Sequence, residues 1–295
     1  MNREVHVRIC ESLGVKFPRA TRPPLKAGRK SQGKMRQGYL WPMYGEADEI
    51  VFRYAPTREH RHVQAFLGDF KGTLLSDGYK AYAAYARNHN EVVHAQCWSH
   101  CRRKFEGAQE SEPDACGEAL AIIGALYRHE QIIRDKKLRG ENKRVYRMQY
   151  SEPIVKAFWR WCDGQCQRGD LLPKSPLAKA LKYAMARQAS LEVFLSDADV
   201  PVDTNHLERG LRVIPTGKKN WLFCWTEIGA ERLGVIQSLL TTCKLQGVNP
   251  YTYLVDVLQR ISEHPARRVI ELTPRVWKEK FAGHPLGSDL DRYGD

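Results

Sequence analysis

The segment Asp203-Thr204-Asn205-His206-Leu207-Glu208-Arg209-Gly210-Leu211-Arg212, running on to Gly217-Lys218-Lys219-Asn220-Trp221-Leu222-Phe223, sets one carboxylate among cations. A carboxylate that holds a divalent cation, beside Lys and Arg that hold phosphates, has the parts needed to cleave or join a phosphodiester. Asn205 and Glu208 also have the spacing of a capping box, in which Asn caps a helix and Glu bonds back to the cap. Asp203 adds favourable charge at such a helix start. The local sequence leaves capping and chemistry both open. Arg209, Arg212, Lys218 and Lys219, followed by Trp221, suit a polyanion with an unstacked base: cations take phosphates and an aromatic ring stacks a base.

A second carboxylate, Asp77, closes the apolar run Thr73-Leu74-Leu75-Ser76 and precedes Gly78. The end of a strand in an α/β fold holds a ligating carboxylate rigidly, although Asp-Gly is equally a common turn pair. Two or three such groups suffice for Mg²⁺ (or Mn²⁺), which takes oxygen ligands and keeps several waters. Asp77 and Glu208 are far apart in sequence, so only the fold can unite them.

Other constellations are weaker. Arg102-Arg103-Lys104 fits phosphate contacts or a solvated helix face. Cys97-Trp98-Ser99-His100-Cys101, with His94 nearby and Cys162 and Cys166 further on, resembles a fragment of a zinc site. It straddles a strand end and a helix start, and buried thiols are the plainer account. No Gly-rich phosphate loop and no Gly-x-Ser-x-Gly elbow are present.

The elements that must position these groups follow from apolar periodicity. Val5, Val7 and Ile9 alternate with polar residues as in a short strand. Strands are expected at 39–44 and 49–55, joined by a turn at Gly45-Glu46-Ala47-Asp48, and again at 73–76 and 92–97. Helices are expected at 60–67, at 79–87 with Tyr79, Tyr82, Ala83 and Ala86 on one face, and at 98–109. Between 113 and 198 only helical periodicity appears, at 119–134, 155–162, 176–187 and 190–195. A helix over 227–246 stops at Gly247 and restarts after Asn249-Pro250, and 251–261 and 266–272 complete a helical tail.

Composition bounds the class. The 295 residues carry 47 Lys+Arg against 34 Asp+Glu, a net charge of +13, with 42% hydrophobic and 27% charged residues. A core is affordable, and the basic excess favours polyanionic partners, nucleic acid first. Residues 1–37 are rich in Lys and Arg and read as a basic, poorly ordered arm. No apolar run reaches the ~18–20 residues of a membrane span, and no signal-peptide pattern opens the chain, so a cytosolic protein with reduced thiols is expected.

Taken together, several segments resemble the insertion-sequence 66 type transposases, bacterial enzymes of the DDE class. They are Gly38-Tyr39-Leu40-Trp41; Leu67 to Tyr79, with Gly68-Asp69-Phe70-Lys71-Gly72 leading into Thr73 to Asp77; Cys97 to Phe105; Asp203 to Arg212; Gly217 to Phe223; and Lys244-Leu245-Gln246-Gly247-Val248-Asn249-Pro250. The matching region covers roughly residues 38 to 277. The resemblance implies a ribonuclease H-like mixed sheet with a large helical insertion before the catalytic Glu and a helical C-terminal tail. It also implies Mg²⁺-dependent strand cleavage and transfer at the ends of an insertion sequence, with Asp77 as the second acidic residue and Glu208 as the third. The implied partners are double-stranded DNA, further copies of the chain on that DNA and helper proteins of the same element, in the bacterial cytoplasm at the nucleoid. Arg102, Arg103, Arg209, Arg212, Lys218, Lys219 and Trp221 are the expected DNA contacts. The implied organisation is an atypical basic arm (1–37), a core in two parts (38–112 and 200–234), the helical insertion (113–199) and the tail (235–295).

Two departures qualify this. Members are usually much longer, with an N-terminal DNA-binding region absent here. Their first catalytic Asp stands in an Asp-Glu-Thr type motif, whose nearest counterpart is Cys10-Glu11-Ser12, with Cys10 in the place of the Asp. The expectation is therefore a truncated or frame-disrupted copy, inactive unless Glu11 substitutes. The alternative is a non-catalytic DNA-binding remnant; a zinc-stabilised structural protein is a third reading.

Overall fold

The computed structural model describes residues 4–7, 14–17, 36–211 and 226–288; for the two N-terminal strands and for Arg36, Gln37, Glu208, Arg209 and Leu211 it gives the backbone path alone. The fold is mixed α/β. Strands are β1 (Glu4–Val7), β2 (Gly14–Phe17), β3 (Arg36–Gly45), β4 (Glu49–Ala55), β5 (Gly72–Ser76) and β6 (Val92–Gln96). Helices are α1 (Arg61–Leu67), α2 (Lys80–Arg87), α3 (Trp98–Glu106), α4 (Pro113–Asp135), α5 (Gly140–Tyr146), α6 (Glu152–Cys166), α7 (Pro176–Met185) and α8 (Gln188–Ser196). They continue with α9 (Asn205–Leu211), α10 (Glu227–Leu245), α11 (Pro250–Arg260) and α12 (Pro274–Lys280). The chain divides into two compact units, residues 1–8 with 63–206 and residues 9–62 with 207–295.

In the first unit β5 lies between β1 and β6, all parallel, with Val7 opposite Ser76 and Ser76 opposite Gln96. Parallel strands bury both faces, which is why Thr73-Leu74-Leu75-Ser76 is a continuous buried run and not an alternating one. Helix α2 departs from the expected face. It starts one residue later, and Ala81, Tyr82 and Tyr85 are buried. The Tyr85 hydroxyl donates to the Gly68 carbonyl (2.7 Å), which turns Tyr85 inward.

The helical block α4–α8 gathers around Trp98, Phe105, Phe158 and Phe194. Trp98 stands edge-on to Phe158 (5.3 Å between centroids), and its indole N–H donates to the Leu191 carbonyl (2.8 Å). Helix α5 and the single π-helical turn at Arg147–Ser151 escape the sequence pattern, because residues 140–151 show no apolar repeat. Arg147 organises this region. It is fully buried and meets the buried Glu130 through two 2.8 Å bonds. It also donates to the carbonyls of Phe194 (2.7 Å), Asp197 (3.2 Å) and Val200 (2.9 Å).

In the second unit β3 pairs antiparallel with β2 and β4, and the β3–β4 hairpin turns at residues 46–48 as expected. Strand β2 lies inside the segment expected to be an unstructured arm. The open backbone groups of β4 are met by side chains of α10. Thr242 Oγ1 exchanges hydrogen bonds with the Ile50 N–H (3.1 Å) and carbonyl (3.2 Å), and Ser238 Oγ accepts from the Phe52 N–H (2.8 Å). Gly234 allows this approach, since a Cβ there would stand 2.6 Å from the Phe52 carbonyl oxygen. Asn249 caps α11 by accepting from the Tyr251 N–H (2.9 Å), with Pro250 in the first turn. The tail is pinned at Asp256. Burial alone would raise its carboxyl, but bonds from Arg260 (2.5 Å), the Trp277 indole (2.8 Å) and the Leu286 N–H (2.7 Å) hold it below the usual range. Helix α12 adds a helix within the expected tail (235–295), past the last one read there at 266–272. Among the described residues no helix is long and apolar enough to cross a membrane.

Candidate active site

Asp77 follows the last residue of β5, where parallel strands present their carboxyl ends. The segment after β6 is stitched to the same place. The Cys97 N–H donates to the Ser76 carbonyl (3.2 Å), and the Trp98 N–H donates to the Val202 carbonyl (3.0 Å). Cys97 Sγ in turn accepts from the Thr204 N–H (3.3 Å) and hydroxyl (3.4 Å). Through this relay the residues after β5, those after β6 and the approach to α9 are held as one assembly.

Around Asp77 the geometry is closely specified. Its Oδ1 accepts from the Tyr79 N–H (3.0 Å), which closes a turn by the side chain. Gly78 has φ +88°, and the Tyr183 hydroxyl occupies the space a Cβ would need. The backbone angle favours glycine there, and a Cβ would displace the Tyr183 hydroxyl. The same hydroxyl reaches the Asp77 carbonyl at 3.5 Å. Burial pushes the Tyr183 phenol up to about 12, so it stays protonated. Arg187 lies over the Tyr183 ring at 3.9 Å and Lys104 at 5.2 Å. The Asp77 turn is thus backed by two cations held against one aromatic ring.

His94, on β6, shares a hydrogen bond with Ser76 Oγ (2.9 Å). Burial lowers its pKa to about 4, helped by the charges of Arg187 and Arg87. The unfolded chain takes this proton near 6.5, so the folded state loses stability as pH falls from about 6.5 to about 4, and is unaffected by this group above that window. Across the whole window the loss is on the order of 3 kcal/mol. Urea denaturation at pH 7 and pH 4.5 checks it. His94→Gln should remove much of the difference; an unchanged pH dependence would reject His94 as its source.

At α9 the capping box rests on the Glu208 side chain, which lies outside the described residues; what the structure describes is a bond from Asp203 at the helix start. The helix begins at Asn205, and the residue that satisfies its first amide is Asp203. Asp203 Oδ1 accepts from the Asn205 N–H (2.9 Å) and Oδ2 from the Asn205 side-chain amide (2.6 Å). Asp203 therefore fixes the start of the helix that carries Glu208. Burial, with Asp203 beside it, also pushes the Tyr127 phenol up. The backbone at Glu208 and Arg209 is helical. Arg212, Lys218, Lys219 and Trp221, like Cys10 and Glu11, lie outside the described residues. Asp77 belongs to the first unit, whose last residue is His206, and Glu208 to the second.

Arg102 is paired with Glu106 (2.8 Å) on the half-exposed face of α3. Such exposed pairs contribute little and exchange readily for a phosphate. Arg103 is exposed beside His100 (3.4 Å). Burial raises the thiols of Cys97 and Cys162 and pushes that of Cys101 up to about 12. Among the described residues no group of three or more His, Cys, Asp and Glu is placed to hold a metal. The oxygens at the strand ends, the Asp77 carboxylate and the buried, unsatisfied Oε1 of Gln96, are hard donors of the kind Mg²⁺ takes. No motif in the sequence singles out Tyr183 and Arg187. Their only signal is a separation of four, which puts them side by side where α7 ends.

A family model described as the transposase IS66 family matches residues 21–232, and one for the IS66 C-terminal element matches residues 238–275. The chain belongs to the IS66 transposase family. The match begins at residue 21, ahead of Gly38, where the motif-bearing segments begin. Three uncharacterized proteins of Sinorhizobium fredii (strain NBRC 101917 / NGR234) are similar. One, y4jD, is 32% identical over 88% of this chain and 53% of its own length. Another, y4qI, is 31% identical over 94% of this chain and 53% of its own. The third, y4hP, is 29% identical over 86% of this chain and 50% of its own. The chain spans about half the length of these curated relatives. No solved structure matches it.

Proposed function

We propose that this member of the IS66 transposase family is a DDE-type catalytic region that cleaves and transfers DNA strands at insertion-sequence ends. Asp77 and Glu208 are its metal-holding carboxylates, and the fold is ribonuclease H-like. The observation that carries the proposal is the placement of Asp77 at the carboxyl end of the central parallel strand, in a turn fixed by Tyr79, Gly78 and Tyr183. The helical block lying between β6 and α9 is the arrangement the family resemblance implies. A bound Mg²⁺ would activate a water or a DNA 3′-hydroxyl and stabilise the leaving oxygen. The chain's own residues orient and neutralise. Asp203 sets the register of α9, Lys104 and Arg187 provide positive charge behind Asp77, and Arg102, Arg103, Arg209, Arg212, Lys218 and Lys219 hold phosphates, with Trp221 on a base.

A second reading, a DNA-binding remnant without chemistry, is favoured by one observation. Val7 pairs with Ser76, the residue before Asp77, and the residues next after Val7, namely Arg8, Ile9 and Cys10, include no carboxylate. The deciding experiment incubates the purified chain and its Cys10→Asp variant with duplexes bearing the ends of the element, with Mg²⁺, Mn²⁺ or chelator. Metal-dependent nicking or joining by the unaltered chain rejects the remnant. Salt-sensitive binding with no cleavage, and cleavage restored by Cys10→Asp, establishes a damaged enzyme. No cleavage by either protein in any metal overturns the catalytic proposal.

A further inference from the structure

The helical block carries a surface that the carboxylate site does not use. Between Arg128 and Tyr150, leaving aside the buried pair Arg147–Glu130, the chain holds seven Lys and Arg against two acids, Asp135 and Glu141, a local charge of +5. Lys136, Lys137 and Arg139 stand exposed on the connection between α4 and α5. Beside them three rings gather. His129 lies parallel to Tyr150 (5.6 Å, 12° between planes), Tyr146 and Tyr150 are 4.6 Å apart, and His129 Nδ1 shares a hydrogen bond with the Tyr146 hydroxyl (3.0 Å). Tyr150 (41%) and Met148 (46%) remain partly exposed.

Two backbone features mark this place as costly to build. Lys137 has φ +52° at the end of α4, a position where glycine is cheaper, yet a lysine occupies it. The π-helical turn Arg147–Ser151 holds Tyr150 out beside Tyr146; such turns are rare and concentrate at functional sites. A cation kept at a strained position, next to a cluster of partly exposed aromatic rings, matches nucleic acid, whose phosphates take the charges and whose unpaired bases stack on rings.

We infer that the α4–α5 connection and the π-helical turn form a second DNA-contacting surface, with Lys136, Lys137 and Arg139 on the phosphate backbone and Tyr150 stacking an unpaired base. This rests on the transposase reading and extends it to the helical block.

The test measures binding of a labelled duplex, with and without a single-stranded overhang, by fluorescence anisotropy over a salt series. Replacing Lys136, Lys137 and Arg139 together by Gln should lower the slope of log affinity against log salt by about 2–3, since each phosphate contact on duplex DNA contributes about 0.9. Tyr150→Ala should weaken binding of the overhang duplex by about fivefold or more, with little change on the blunt duplex. Lys137→Gly separates contact from folding. Relief of the left-handed backbone should raise its melting temperature while its DNA affinity falls. Variants that keep the parent's slope and affinity overturn the inference and leave the transposase reading standing. A parent chain that binds no DNA at any salt overturns both.

Discussion

Arg147→Met is expected to destabilise the first unit by about 3–5 kcal/mol, among the largest effects of any single substitution in the chain. The guanidinium spends its donors on the Glu130 carboxylate and on the carbonyls of Phe194, Asp197 and Val200, and it lies 5.1 Å over the Phe194 ring. Methionine fills much of the volume but leaves a buried carboxylate uncompensated and three carbonyls without this donor. Equilibrium urea denaturation measures the loss. The double variant Arg147→Met/Glu130→Leu should recover part of it, because the stranded charge leaves with its partner. If the double variant is no more stable than the single, the cost lies in the carbonyls and not in the ion pair. The effect also reaches the site. The carbonyls held by Arg147 end at Val200, three residues before Asp203, so a loosened turn there frees the segment that starts α9.

Arg147 also shows where sequence reasoning stops. One arginine in a polar stretch has no period, and nothing in residues 140–151 separates a buried anchor from a solvated loop. The carboxyl end of β5 was legible for the opposite reason. A strand buried on both faces leaves a continuous apolar run, and Asp-Gly marks its end without reference to anything distant. The β3–β4 hairpin and the Gly247-Val248-Asn249-Pro250 break before α11 were legible on the same local grounds, since their turn and cap residues act on their own backbone. Contacts made at long range were not. Tyr183 meets the Asp77 turn across 106 residues, and Thr242 meets Ile50 across 192. At the start of α9 Asp203 and Asn205 are both good capping types, and only the hydrogen bonds show that Asp203 accepts from the Asn205 N–H. The family match reaches back to residue 21 although the basic segment before Gly38 offers no motif dense enough to see by eye.

The candidate carboxylates give the sharpest test of function. In a chain that cleaves, Asp77→Asn and Glu208→Gln are each expected to reduce metal-dependent nicking at least ~10³-fold, about 4 kcal/mol of transition-state stabilisation. Asn is the informative replacement at Asp77. Its side-chain oxygen still accepts from the Tyr79 N–H, so the turn and its glycine survive, while the charge that would hold a cation is gone. Gln likewise keeps a good helix former within α9. Melting temperature and DNA affinity should therefore stay close to the parent's while cleavage disappears. Gly78→Ala supplies the contrast. It forces strain at φ +88° and a collision with Tyr183, so it should lower stability and cleavage together. If Asp77→Asn lost stability in parallel with activity, Asp77 would be a turn residue and not a ligand. If both carboxylate variants cleaved like the parent, the assignment of the site would fail outright.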